Sequence, residues 1–255
     1  MTQIDKAKAF KALHRKGDPV VLYNIWDAGT AKVVAESGAK ALATGSWSVA
    51  AANGYGDGQK IPMGLLIDVA RSIVVATDLP VSIDFEGAYS DKADEAARNV
   101  AQIVDIGAVG INFEDQVVGA SGLYSIEAQA ARIKAIRAMA DEKGIPFYIN
   151  ARTDLFLKVS DDADHPQLVD EAIERAAAYA EAGADGFFVP WLSNPDLISQ
   201  ICDAVSLPVN VMMRPGMEVK AMAGLGVARI SYGPGPYRAM IEWLKGQAGA
   251  VYGAG

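Results

Sequence analysis

One cysteine and two histidines in 255 residues limit the chemistry this chain can carry. Cys202 has no partner, which excludes an intramolecular disulfide. An unpaired thiol among apolar neighbours suits a reducing cytosol, where it reads as a small core hydrophobe rather than a nucleophile. His14 lies in a charged stretch that reads as surface, and His165 in a polar loop at 161–166. Two histidines so placed do not make a multi-histidine zinc site, and neither is assigned chemistry. Positive charge is scarce as well: 23 basic residues stand against 31 acidic ones, a net charge of -8. No broad cationic field is present to attract nucleic acid or an anionic membrane. A small carboxylate substrate stays compatible, because a few local positive groups outweigh a diffuse negative surface. No apolar run reaches the length of a membrane span, and residues 1–10 alternate charge with alanine instead of forming a secretory signal. The expected location is cytoplasmic. No G-x-G-x-x-G follows the first strand candidate, so no nicotinamide cofactor is expected. No lysine stands at a predicted strand end, which disfavours a Schiff-base aldolase.

Alternation is what the sequence has in abundance. Apolar runs at 19–24, 39–43, 80–84, 108–113, 146–150, 185–189, 208–211 and 227–231 read as strands. Helical patterns separate them at 27–37, 63–77, 91–105, 125–140, 170–181, 195–205 and 218–224, with Asp91 and Ser125 as candidate N-caps. An outer helix at about 3–15 precedes the first strand and a last helix at about 237–246 follows the eighth, with a frayed Gly/Ala ending. The segment 44–58, rich in Gly, Ser and Ala, reads as a long loop. Odd-numbered strands open with Pro19, Pro80, Pro146 and Pro208, whereas even-numbered ones follow Gly38, Gly107, Gly183 and Gly226. Eight strand–helix units in alternating pairs predict an α/β chain folded over 1–255 as one (β/α)8 TIM barrel.

In such a barrel, chemistry gathers at the carboxyl ends of the strands. That places Asn24 and Asp27 after the first strand, and Ser46, Trp47 and Asp57 after the second. Asp84 and Glu86 follow the third, Glu114 the fourth, Arg152 the fifth, and Asn210 lies on the seventh. Asp84 and Glu86 alternate, so both can face the same way as their strand ends. Several carboxylates with only Arg152 to answer them repel one another, and a divalent cation would relieve that repulsion. Oxygen donors without nearby cysteine or histidine favour Mg2+, with Mn2+ as the alternative.

The stretches Tyr23-Asn24-Ile25-Trp26-Asp27-Ala28, Thr44-Gly45-Ser46-Trp47-Ser48 with Asp57, Asp84-Phe85-Glu86-Gly87, Glu114-Asp115, Ala151-Arg152-Thr153-Asp154 and Pro208-Val209-Asn210 resemble, in order, the isocitrate lyase/phosphoenolpyruvate mutase superfamily. The resemblance runs over roughly 20–238. It implies a Mg2+-dependent barrel that makes or breaks a C–C or P–C bond beside a 2-oxo or 2-hydroxy carboxylate. It also implies a homo-oligomer, dimer or tetramer, whose subunits exchange their last helices. Carried over by position, Asp84 is implied to lie nearest the metal, Glu86 to stand where the family often has a second aspartate, and Glu114 to complete the shell partly through waters. Asp57 is implied to hold the metal's hydration or orient the reacting group. Gly45, Ser46 and Trp47 would donate to a substrate carboxylate, Arg152 would counter its charge, and Asn210 would donate to the same end, with Tyr23 and Asn24 alongside.

One loop departs from the family. Isocitrate and methylisocitrate lyases carry a cysteine-containing basic segment after the fourth strand, and phosphonopyruvate-handling members a lysine and an asparagine. Here the loop is Gln116-Val117-Val118-Gly119-Ala120-Ser121-Gly122-Leu123-Tyr124, without cysteine, histidine, lysine or arginine. Either the proton donor is then Ser121, Tyr124, Asp57 or water, or the reaction needs no strong acid. The expected function is a C–C lyase or hydrolase acting on a small 2-oxo or 2-hydroxy (di)carboxylate through a metal-stabilised enolate. The alternatives are a phosphonomutase or phosphonopyruvate hydrolase, and a non-catalytic 2-oxo acid binding protein.

Overall fold

Proline can begin a strand because no ladder N–H is needed there, and its carbonyl still accepts. In the computed structural model, which describes residues 1–159 and 161–253, Leu42 N donates to Pro80 O at 2.9 Å and Phe187 N to Pro208 O at 3.0 Å. All eight expected strands form: β1 (Val20–Leu22), β2 (Leu42–Ala43), β3 (Val81–Asp84), β4 (Gly110–Glu114), β5 (Tyr148–Arg152), β6 (Gly186–Val189), β7 (Val209–Met212) and β8 (Arg229–Ser231). Every ladder is parallel, in the order β1-β8-β7-β6-β5-β4-β3-β2. The ring closes between β1 and β2 just past the strands, where Ile25 N donates to Ala43 O and Gly45 N to Ile25 O. The fold is the expected (β/α)8 barrel.

Side chains alternate along each strand and divide the core in two. Ile83, Ile111, Phe113, Ile149, Phe187, Val189, Val211 and Ile230 join the large outer core against the helices. Val20, Leu22, Ala41, Ala43 and Tyr148 cluster with Ala7 and Phe10 of α1 (Gln3–Ala12), which closes the amino-terminal end of the barrel. His14 belongs to this plug and corrects the surface reading. It is buried, stacked on Tyr148 with ring centroids 4.1 Å apart, and its Nδ1 lies 2.8 Å from Phe10 O.

The outer helices are α2 (Ala28–Glu36), α4 (Met63–Val75), α5 (Ala93–Asp105), α6 (Ile126–Glu142), α7 (Val169–Glu181), α8 (Pro195–Ala204), α9 (Val219–Gly224) and α10 (Gly235–Tyr252), with α3 (Ser46–Ala52) inside the segment expected as a loop. Ser125 caps α6 as expected. Asp91 does not cap α5; Lys92 holds the N-cap position, and its own N–H is taken by Ser90 Oγ. Asp162–Leu168 winds into a 3₁₀ helix where a loop was expected, and its His165 packs edge-on against Phe156. The outer helix stops at Ala12, short of 15. The last helix runs past 246 to Tyr252 and ends on Gly253, whose φ of 70° suits a left-handed C-cap. Among the described residues no helix is long and apolar enough to cross a membrane.

Candidate active site

Asp84 ends β3 with its two oxygens in different situations. Oδ2 accepts from Ser46 N at 2.9 Å and from Ser46 Oγ at 2.8 Å, while Oδ1 is buried without a partner. The first turn of α3 supplies that N–H, which has no acceptor within its own helix. Glu86 lies two residues on, in a left-handed backbone with φ 50°. Its Oε2 accepts from Gln59 N at 2.7 Å, and its Oε1 is a second buried orphan.

Glu114 ends β4 and Arg152 ends β5, paired across the ladder, with Arg152 Nη1 2.9 Å from Glu114 Oε2. The other edge of the guanidinium is held by Asp154, Nε to Oδ1 at 2.6 Å and Nη2 to Oδ2 at 3.0 Å. Asp115 fixes Asp154 in turn by accepting from its N–H at 3.0 Å, and is braced by Tyr179 and Arg175 of α7. Asp115, the neighbour of Glu114, therefore fixes Asp154, and Asp154 in turn orients Arg152.

The electrostatics are those of crowded carboxylates in a poorly solvated place. Burial, then Asp84 and Asp57, push Glu86 up to about 7. Burial also lifts Glu114 well above the usual range, against the pull of Arg152. Asp57 is exposed as a residue, yet burial of its carboxyl and the charge of Asp84 raise it too. Burial opposes the charge on Arg152, but Asp154 and Glu114 hold its proton far more strongly than usual.

Two orphaned carboxylate oxygens in an all-oxygen set fit a hard divalent cation. Among the described residues no three His, Cys, Asp or Glu side chains converge as a ready-made cage. Mg2+ keeps several waters and takes few direct carboxylates. Asp84 and Glu86 would hold it, with Glu114 reaching it through water.

Other expected residues lie less centrally. Gly45 N is used in closing the barrel and Ser46 N on Asp84, so neither N–H is free. Trp47 is half-buried, edge-on to Tyr237 and 4.7 Å beneath Arg238. Asn210 is buried in the barrel wall, accepting from Asn150 Nδ2 at 3.0 Å. Asn24 ties β1 to the turn after β8 by accepting from Tyr232 N and Gly233 N. Tyr23 is exposed and packs on Tyr232. Ser121 is exposed, and the Tyr124 ring lies 4.2 Å from the guanidinium carbon of Arg132, beside a groove of about 290 Å³ that Gln59, Gly87 and Gln116 also line. Neither residue makes a hydrogen bond to the carboxylates. Sequence reasoning missed Gln59, whose signal is only its place after Gly58, and Arg229, which reads as an ordinary strand residue.

The phosphoenolpyruvate phosphomutase family matches residues 10–252. The chain belongs to that family. Within the isocitrate lyase/phosphoenolpyruvate mutase superfamily, an uncharacterized protein of Mycobacterium tuberculosis H37Rv is 36% identical, over 95% of this chain and 88% of its own. Escherichia coli K12 2-methylisocitrate lyase is 32% identical over 79% of this chain and 68% of its own. A solved Burkholderia cenocepacia J2315 protein, provisionally described as a phosphonomutase, superposes with a TM-score of 0.93 at 45% identity, covering 99% of this chain and all of that one. A phosphonopyruvate hydrolase crystallised with oxalate and Mg2+ shares the fold at 22% identity and a TM-score of 0.83, over 96% of this chain and 85% of its own. A mutase family model and relatives named as lyases support an enzyme here.

Proposed function

We propose that this phosphoenolpyruvate phosphomutase family member is a Mg2+-dependent C–C lyase or hydrolase of small 2-oxo or 2-hydroxy (di)carboxylates. The observation that carries the reading is the pair of buried, unpartnered oxygens, Asp84 Oδ1 and Glu86 Oε1. Buried acceptors without donors are costly, and a hydrated cation satisfies both. When bound, Mg2+ would polarise the 2-oxo acid and stabilise negative charge on the carbon side of the broken bond. Arg152, held rigid by Asp154, would face the substrate carboxylate as a fixed cation. The Gly45-Ser46-Trp47 turn, Asn210 and Tyr23 would shape that end of the pocket. Asp57, at the mouth and with a pKa raised by burial and by the charge of Asp84, would be the proton donor to the departing carbanion; Ser121 and Tyr124 would serve only if the 116–124 loop folds inward.

A phosphonomutase or phosphonopyruvate hydrolase is the second reading, favoured by the 45% identity to the Burkholderia protein. The cation-free loop 116–124 argues against it, because a transferred phosphoryl group needs positive charge. We also propose a cytoplasmic homo-oligomer, dimer or tetramer, assembled through α10, which leaves Trp243, Leu244, Val251 and Tyr252 exposed. The function test is release of pyruvate, oxalate and phosphate from oxaloacetate, 2,3-dimethylmalate, 2-methylisocitrate, citramalate and phosphonopyruvate, with Mg2+ or chelator. A Mg2+-dependent carbon product lost in Asp84→Ala supports the first reading, and phosphate release supports the second. Oxalate binding without turnover of any substrate would move the weight to a binding protein.

A further inference from the structure

Arg229 begins β8 and projects into the barrel, where it is 1% exposed. Nη2 donates to Asn112 Oδ1 at 3.0 Å, whereas Nε and Nη1 have no partner. Among the described residues no carboxylate lies within ion-pair distance of it. The Phe10 ring, part of the plug at the amino-terminal end, is 5.9 Å from its guanidinium carbon. Asn112, its one acceptor, pairs with Asp84 across the β3–β4 ladder. The guanidinium thus lies between the plug and the tier that carries the first of the carboxylates.

A buried guanidinium without a counter-ion is expensive, and an apolar side chain would fill the same space at lower cost. Burial lowers its pKa to about 10, while the nearby Tyr148 and Asp84 act to keep it protonated. It therefore stays a cation at neutral pH. Above it the carboxylates of Asp57, Asp84, Glu86, Glu114 and Asp154 share one cation at their own level, Arg152. A second fixed positive charge below them offsets their repulsion. It also repels any divalent ion placed among them, because both effects act through the same poorly screened interior.

We propose that Arg229 is a positioning residue that acts as the lower counter-charge of the site, steadying the carboxylates in the metal-free protein and limiting how tightly they hold a divalent cation. The proposal rests on the metal reading given under Proposed function. Limited affinity keeps the cation exchangeable, and removing the charge strengthens binding, an outcome that mere structural damage does not produce.

The test is Mn2+ titration of the full chain, following the free-ion electron paramagnetic resonance signal, for wild type, Arg229→Gln, Arg229→Met, Arg229→Lys and Asn112→Asp. Arg229→Gln is expected to bind Mn2+ about fivefold more tightly or better, from Coulomb's law at an interior effective dielectric. Arg229→Lys, which keeps the charge, should stay within about twofold of wild type. Asn112→Asp sets an acid of the same shape against Nη2, cancels the charge in place, and should also tighten binding. If Arg229→Gln does not fold, Arg229→Met, which is neutral and unbranched, decides the matter, because the new carboxylate of Asn112→Asp would itself attract the cation. Unchanged or weaker binding in a folded neutralising variant, or equal tightening in Arg229→Lys, overturns the proposal while leaving the metal site intact. A wild type that takes up no Mn2+ overturns the metal reading itself and this proposal with it.

Discussion

Asp154 grips Arg152 by two parallel hydrogen bonds and leaves Nη1 as the one guanidinium nitrogen that reaches Glu114. The pair is buried, with the Asp154 side chain wholly inaccessible and that of Arg152 16% exposed. Its function is directional, because holding Nε and Nη2 on Asp154 fixes the plane of the guanidinium and sets Nη1 as the nitrogen that meets Glu114. Asp154→Ala leaves a buried cation underpaired, for which a cost of about 3–5 kcal/mol is typical. Urea unfolding should show that loss. Oxalate affinity in the presence of Mg2+ should fall at least about tenfold. A variant that keeps wild-type oxalate affinity would show that Arg152 needs no such brace.

Glu86 gives the metal-free protein a pH dependence opposite to that of most ion-paired carboxylates. Its folded pKa, pushed up to about 7, exceeds the ordinary 4.5, so between those values the folded state holds more proton than the unfolded one. Stability should then fall as pH rises from 4.5 to 7, with a slope of at most about 1.4 kcal/mol per unit. Glu86→Gln should flatten that limb. Saturating Mg2+ should flatten it as well, because the ion replaces the proton as the partner of the carboxylate. Urea midpoints across this range, with chelator and with Mg2+, check both; an upward slope in chelator would contradict the assignment.

His14 contributes with the reverse sign. Burial, reinforced by Arg229, lowers its pKa from 6.5 to about 3, so the folded protein carries it neutral where the unfolded chain would protonate it. Its contribution is complete above pH 6.5 and is lost as pH falls toward 3. His14→Gln should make the metal-free protein less sensitive to acid between pH 6 and 4, even at some cost in packing against Tyr148. Unfolding curves over that interval decide it, and an unchanged acid limb would mean that His14 is not the group responsible.

The same residue marks where the sequence stopped being readable. Apolar runs bounded by proline and glycine are local signals, and the eight strands were legible from them with ends displaced by up to three residues. Asp84, Glu86, Glu114 and Arg152 were legible because a barrel brings strand ends together whatever the details. What closes the bottom of the barrel was not, since α1 is mostly polar and only its Ala7 and Phe10 turn inward. Asp154 stands two residues from Arg152 in the sequence, and only the geometry shows that it grips the guanidinium while its own N–H is held by Asp115. The helix α3 was hidden in a stretch of small residues that carries no periodic apolar face. Arg229 was hidden because a charged residue in a short strand normally faces solvent.

Gly186, the first residue of β6, is tightly enclosed and therefore a test of the packing around it. A Cβ there would lie 2.6 Å from Tyr148 Oη and 2.7 Å from Asn150 Oδ1. Neither neighbour can retreat easily, because Tyr148 is wedged against Phe10 and His14, and Asn150 donates to both Asn112 and Asn210. Gly186→Ala should destabilise the chain by about 1–3 kcal/mol, the usual range for an overpacked core. Tyr148→Phe removes one of the two clashing oxygens, and Oη has no hydrogen-bond partner to lose. The double variant should therefore recover part of the loss, giving a coupling of about 0.5–1 kcal/mol between residues in contact. Strict additivity would place the strain at Asn150, and would imply that the polar tier carrying Asn112 and Arg229 is the rigid part of the barrel.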